Sequence, residues 1–329
     1  MNHRGLLSLS FLALVVLGVH RVTEAKKKLV PTAASVTRLS SSIAPAQSGN
    51  FPLVWNSGVN CSSEPDFQVH AYNEDFFIIR QSKCAIFEAP FLYLIFGDEG
   101  ALLLDTGSNS TTDVWGTVNQ IIERWLDARG MDHIRLVVAH SHSHGDHIQG
   151  DAQFVDKPYV SHIVGLTNQA VRTFFGFQDY PNDVPTFDLG NRVIDVLGTP
   201  GHHTASITLY DRRTQILLTG DLVYPGHLFI FGSGAWTAFR RSIRRLTHWA
   251  NTHPVKWVLG CHIEFSDVPF VSYPYATAVQ PNEHVLQFPA SELVEIQEAT
   301  ESMWTNPQCQ IFDEFVIHPV YLCGIMWNG

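Results

Sequence analysis

Five short apolar runs in this chain share one form: each leads into a residue able to bind a metal or accept hydrogen bonds. Ala101–Leu104 leads into Asp105-Thr106-Gly107, and Ile134–Ala139 into a histidine-rich segment. Val193–Leu197 precedes Thr199-Pro200-Gly201-His202, Gln215–Thr219 precedes Gly220-Asp221, and Trp257–Leu259 precedes Gly260-Cys261-His262. Runs this short suit buried strands, and sites on α/β sheets gather where strands end. Helices are expected over Thr112 to Ala128, between Ala235 and Ala250, and from Ser291 to Met303.

The segment after Ala139 is the most informative. Residues 142 to 147 read His142-Ser143-His144-Gly145-Asp146-His147, four metal-binding side chains in six positions. In an extended segment His142 and His144 point the same way, and a turn at Gly145 swings Asp146 and His147 toward a second centre. A catalytic zinc keeps three protein ligands and an open position, so two metals need ligands from elsewhere in the chain, and the other runs offer them.

Together these segments resemble the metallo-β-lactamase superfamily over roughly residues 70 to 265: a strand ending in Asp-Thr-Gly, the His-x-His-x-Asp-His cluster, a Pro-Gly-His, a Gly-Asp and a final His after a strand. The resemblance implies an α/β fold, a four-layered αβ/βα sandwich with metals between two sheets. It implies that His142, His144 and His202 hold one metal, that Asp146, His147 and His262 hold the other, and that Asp221 bridges them. Asp105 falls where the family supports the ligand loop by hydrogen bonds. Tyr224, three residues after Asp221, falls where some lactonases carry a tyrosine that contacts the substrate carbonyl; its alternative is packing.

Histidine and carboxylate ligands without thiolate suit zinc, with iron or manganese as alternatives. Two cations about 3.5–4 Å apart turn water into hydroxide near neutral pH, which attacks a carbonyl polarised by the metal. Asp146 and Asp221, with Tyr224, are the expected catalytic residues, and the expected reaction is hydrolysis of a small ester, thioester or lactone. Redox di-iron relatives carry Glu where this chain has His144, and true zinc β-lactamases usually lack the bridging carboxylate. β-Lactam hydrolysis is therefore the alternative. A non-hydrolytic member, either a mononuclear iron dioxygenase acting on sulfur compounds or a metal-retaining binding protein, is the second class. A formal charge of -10 disfavours nucleic acid as a partner and leaves a small-molecule substrate. No Lys or Arg follows His262, which argues against glutathione thioesters.

Residues 1–25 read as a signal peptide: Arg4, the apolar stretch Leu6 to Val19, and a small-residue cleavage site at Ala25. Secretion or periplasmic export is expected, without stable membrane association. Residues 26–65 read as a flexible leader and 66–329 as the catalytic domain, with a C-terminal extension from about 266 that either covers the substrate or packs as a tail. Five cysteines allow two disulfides, with Cys261 the natural odd thiol and Cys309–Cys323 closing the C-terminal segment. His140, His203 and His227 are expected to support the site by hydrogen bonding or packing. Arg240, Arg241, Arg244 and Arg245 are expected on a solvated helix face.

Overall fold

In the computed structural model, which describes residues 47–326, the apolar runs build two six-stranded sheets packed face to face. In the first, β1 (Phe67–Asn73), β2 (Phe76–Gln81), β3 (Phe91–Phe96), β4 (Gly100–Leu104), β5 (Arg135–Ala139) and β6 (Val160–Ile163) lie in chain order, antiparallel as far as β4 and parallel from β4 to β6. The second holds β7 (Thr186–Asp188), β8 (Val193–Gly198), β9 (Ile207–Asp211), β10 (Ile216–Gly220), β12 (Trp257–Gly260) and β13 (Gln287–Phe288), ordered β13-β12-β10-β9-β8-β7. A small third sheet joins β11 (His227–Ile230), β15 (Val316–Pro319) and β14 (Gln310–Ile311). The helices are α1 (Val114–Arg129), α2 (Gly145–Ile148), α3 (Asn168–Phe175), α4 (Ala235–Thr252), α5 (Glu292–Ser302) and α6 (Val320–Cys323).

Period-2 alternation assigns each strand residue to a layer. Leu102 and Leu104 face the other sheet, where they meet Val196, Leu209, Ile216 and Leu218. Ala101 and Leu103 point outward to Val118, Ile122 and Trp125 of α1. On the far side, Leu197, Leu217 and Val258 pack on Phe239 and Ile243 of α4 and on Leu293 and Ile296 of α5. Both faces of each sheet are covered, which is why the strands read as continuous apolar runs. The expected αβ/βα sandwich is the fold observed. Local signals set the first helix: the Asp113 side chain accepts from Gly116 N, and Gly130 closes the far end in a left-handed conformation.

Two expectations need correction. The part of the expected leader that is described packs on the domain: Phe51 meets Tyr72 and Trp257, Trp55 lies edge-on to Phe91, and Cys61 is bonded to Cys84. Large aromatic rings there recover the ordering entropy that the Ser-rich stretch before them does not. The arginines of α4 form a solvated face only in part. Arg240 is buried over the Trp304 ring at 3.6 Å and Arg245 is half-buried, donating to Gly198 O at 2.8 Å, so only Arg241 and Arg244 are exposed, and Arg244 is paired with Glu301 at the surface.

The expected signal peptide, and the leader up to residue 46, lie outside the described residues. Among the described residues no helix is long and apolar enough to cross a membrane. Cys309 pairs with Cys323, and Cys261 is free and buried.

Candidate metal centre

Parallel pairing brings the polar strand ends together. Asp105 follows β4 and the histidine segment follows β5, its neighbour; Asp105 N donates to Ala139 O at 2.8 Å. Asp221 follows β10 and His262 follows β12, its parallel neighbour, with Cys261 N donating to Gly220 O at 3.1 Å. The two sheets are stitched at this edge by Phe91 N to Cys261 O (2.8 Å) and Ile207 N to Ser141 O (2.9 Å). Two glycines permit the approach: a Cβ on Gly201 would lie 2.4 Å from Phe239 Cα, and one on Gly220 2.6 Å from Ser141 Cβ.

The side chains converge in two groups. His142, His144 and His202 form one, and Asp146, His147, Asp221 and His262 the other, with ligand-type atoms within 4.8 Å of one another inside each group. His144 is extended and α2 starts at Gly145, so its first turn carries Asp146 and His147 away from His142 and His144. Asp221 stands between the groups. Its Oδ2 lies 3.8 Å from His142 Nε2, 3.7 Å from His202 Nε2 and 3.4 Å from His147 Nε2, and its Oδ1 lies 3.4 Å from His262 Nε2.

The rest of the protein fixes which ring nitrogens remain for a ligand. His202 Nδ1 donates to Phe229 O, His262 Nδ1 to Glu88 O and His147 Nδ1 to Asp105, each at 2.9 Å. The Ser141 hydroxyl donates to Asp105 at 2.8 Å and so accepts from His142 Nδ1 at 3.1 Å. A neutral imidazole has one N–H, so in their neutral form these four rings carry the lone pair on Nε2. The Nε2 atoms of His142 and His202 both approach His144 Nδ1, at 3.0 and 2.9 Å, where one proton cannot serve two acceptors. His147 Nε2 and Asp221 Oδ1 are buried without a hydrogen-bond partner. Lone pairs and carboxylates pointed at one another fit a cation site, and the imidazole and carboxylate set fits zinc.

Electrostatics separate the two groups. Burial pushes His142 well below the ordinary histidine range and His202 to about 4, holding both in the neutral form that ligates. Burial also opposes charge on His147 and His262, but Asp146, Asp221 and Asp105 hold the first, and Asp221 and Asp146 the second, well above the ordinary range, so a cation binding there would displace a proton from each ring. Asp221 is likewise penalised by burial, yet His262, His147 and His142 keep it well below the carboxylate range.

Around the two groups the sequence is partly informative. Asp105 is fully buried and accepts from Ser141 N, Ser141 Oγ, His147 Nδ1 and the Cys261 thiol. Burial, then Asp105, pushes the Cys261 thiol well up, so it stays protonated. His140 contacts Asp151 at 2.8 Å, His203 contacts Ser143 at 3.3 Å, and His227 contacts His318 at 2.9 Å. Tyr224 is placed differently from the expectation. It is 1% exposed, its hydroxyl donates to His227 O, and its ring packs edge-on to His262 at 5.6 Å, so it supports that imidazole and has no hydroxyl free for a substrate carbonyl. Ser141 and Glu88, both absent from the expected site, orient His142 and His262. Ser141 was visible as the residue between two histidines, whereas Glu88 acts through its carbonyl, which no sequence pattern marks.

A family model described as the metallo-beta-lactamase superfamily matches residues 87–251, half of the chain. The chain belongs to the metallo-β-lactamase superfamily. Within it, a 60-residue segment is 43% identical to the acyl-coenzyme A thioesterase MBLAC2 of Bos taurus, covering 18% of this chain and 20% of that one. A 133-residue segment is 26% identical to a hydroxyacylglutathione hydrolase of Rhizobium meliloti (strain 1021), covering 40% and 50%. The chain thus spans between a fifth and a half of the length of these curated relatives. Among solved structures, a metallo-beta-lactamase from Pontibacter korlensis aligns with 71% of this superfamily member and 99% of itself, at 18% identity and a TM-score of 0.47.

Proposed function

We propose that this protein is a secreted, zinc-dependent hydrolase that adds water to the carbonyl of a small ester, thioester or lactone. One observation carries the reading: four imidazoles, each with its Nδ1 committed to the protein, direct their Nε2 atoms at a shared carboxylate, Asp221. When bound, a pair of zinc ions, one held by His142, His144 and His202, the other by Asp146, His147 and His262, with Asp221 between them, would supply Lewis acidity and a water acidic enough to ionise near neutral pH. Asp146 is the more open of the two carboxylates; its Oδ2 lies 3.2 Å from both His147 and His262, and its second oxygen is the atom proposed to hold the proton of the attacking water. Asp105 keeps the imidazoles of the ligand loop in the required tautomer.

The thioester chemistry named for the relatives supports an ester-type bond. Two disulfides support an oxidising compartment. The test is turnover of a lactone, thioester, aryl ester, β-lactam and phosphodiester panel by the zinc-loaded protein beside its Asp146→Ala variant. Carbonyl hydrolysis that vanishes in the variant is expected; two bound zincs with no turnover across the panel would refute the reading.

A further inference from the structure

The open side of the site is lined unevenly. Beside the three-histidine group, Phe231 is 41% exposed, edge-on to His144 and His202 at 5.4 and 5.3 Å, and stacked on Phe229 at 6.1 Å. Beside His262, whose Nδ1 donates to its carbonyl, and in the field of Asp146 stands Glu88, half-buried, its carboxyl raised by burial and held by the Ser108 hydroxyl at 2.6 Å. Tyr275, edge-on to Phe87 at 5.4 Å, brings its phenol into the field of Glu88, Asp146 and Glu264; burial and then these carboxylates push it up. No cation offsets them from the C-terminal side, because residues 263–329, which supply Glu264 and Tyr275, contain no Lys or Arg. From the other side Lys83, 3% exposed and lowered to about 8 by burial and then by Arg80, donates to Phe87 O at 2.9 Å and reaches Glu264 through its charge, and Arg80 is paired with Glu283.

Resting on the hydrolase reading above, we infer that this site takes apolar acyl substrates whose far end, beyond the scissile carbonyl, is uncharged, and that Glu88 is the residue that excludes an anionic one. Like charges brought together in a half-buried cleft repel, and a site rejects the wrong ligand by unpaired charge as well as by fit. The aromatic wall supplies the attractive part, since Phe231, backed by the buried Phe229, offers apolar surface and no hydrogen-bonding group. Coenzyme A and glutathione thioesters, both polyanionic in their thiol part, are poor matches to this rim.

The experiment compares 4-nitrophenyl hexanoate with mono-4-nitrophenyl adipate, which differ by a carboxylate at the far end, on the zinc-loaded protein and its Glu88→Gln variant. The hexanoate ester is expected to have a kcat/KM about tenfold higher or more, the difference residing in KM, and the variant should close most of that gap. Equal values for the two esters, or a wild-type ratio retained in the variant, would overturn the inference. Calorimetric binding of hexananilide and adipanilic acid, their slowly cleaved amides, runs in parallel. If neither ester turns over, the hydrolase reading fails, and the binding ratio alone decides the selectivity. If Glu88→Gln does not fold, the wild-type preference must shrink in about 0.5 M salt, where charge is screened within a few ångströms; a salt-independent ratio would overturn the inference.

Discussion

Asp105 accepts a hydrogen bond from His147 Nδ1 at 2.9 Å from a backbone position with φ of +69°, one residue beyond the end of β4. A left-handed conformation is costly for a residue with a Cβ and persists where its surroundings fix it; here four donors do so. Asp105 thereby orients both halves of the histidine segment, His147 directly and His142 through Ser141. Asp105→Asn keeps the shape but turns one acceptor into a donor. Zinc affinity, read by competition with a chelator, should fall about 10- to 100-fold while the fold, read by circular dichroism, is retained.

Asp221→Ala removes the carboxylate between the two groups. Metal content by mass spectrometry should drop from about two equivalents toward one, with turnover falling alongside. Full occupancy and activity in that variant would sink the bridging role.

Glu283 holds the segment that carries Tyr275. It binds the Arg80 guanidinium through both oxygens, at 2.5 and 2.7 Å, with both side chains almost wholly buried. Glu283→Ala leaves a buried guanidinium unpaired and should cost about 3–5 kcal/mol in denaturant unfolding. Arg80→Met with Glu283→Leu should recover much of that loss.

Glu292, at the start of α5, is raised to about 8 by burial and then by Glu295, Glu314 and Asp313. A folded-state value above that of the unfolded chain means its stabilising contribution is complete below the ordinary glutamate range. That contribution is lost as the pH rises through 8. Thermal unfolding should therefore show Glu292→Gln gaining on the wild type between pH 5 and 8, by a few degrees at the upper end. A constant difference across that window would contradict the assignment.

The cysteine pattern makes a mass prediction. Denatured without reduction, the protein should take up one alkyl group, on Cys261; after reduction it should take up five.

By itself the sequence determined the layers and the ligand segments. Continuous apolar runs such as Leu102–Leu104 and Leu217–Leu218 require cover on both faces, and each run leads into the side chain it presents, so strands and candidate ligands are read together. Helix limits were legible within a few residues because Asp113 and Gly130 are local signals. What only the tertiary structure decided depends on contacts between distant segments. Tyr224 occupies the motif position of a substrate contact, but its hydroxyl is taken by a carbonyl three residues on, and the arginines of α4 meet Trp304 and Glu301 from a helix and loop some 60 residues away. Glu88 reaches His262 through a main-chain oxygen, which is chemically the same in every residue, and its carboxylate becomes part of the rim only because residues 263–286 fold back beside it. Sequence periodicity records which face of an element is buried; it does not record which element arrives to bury it.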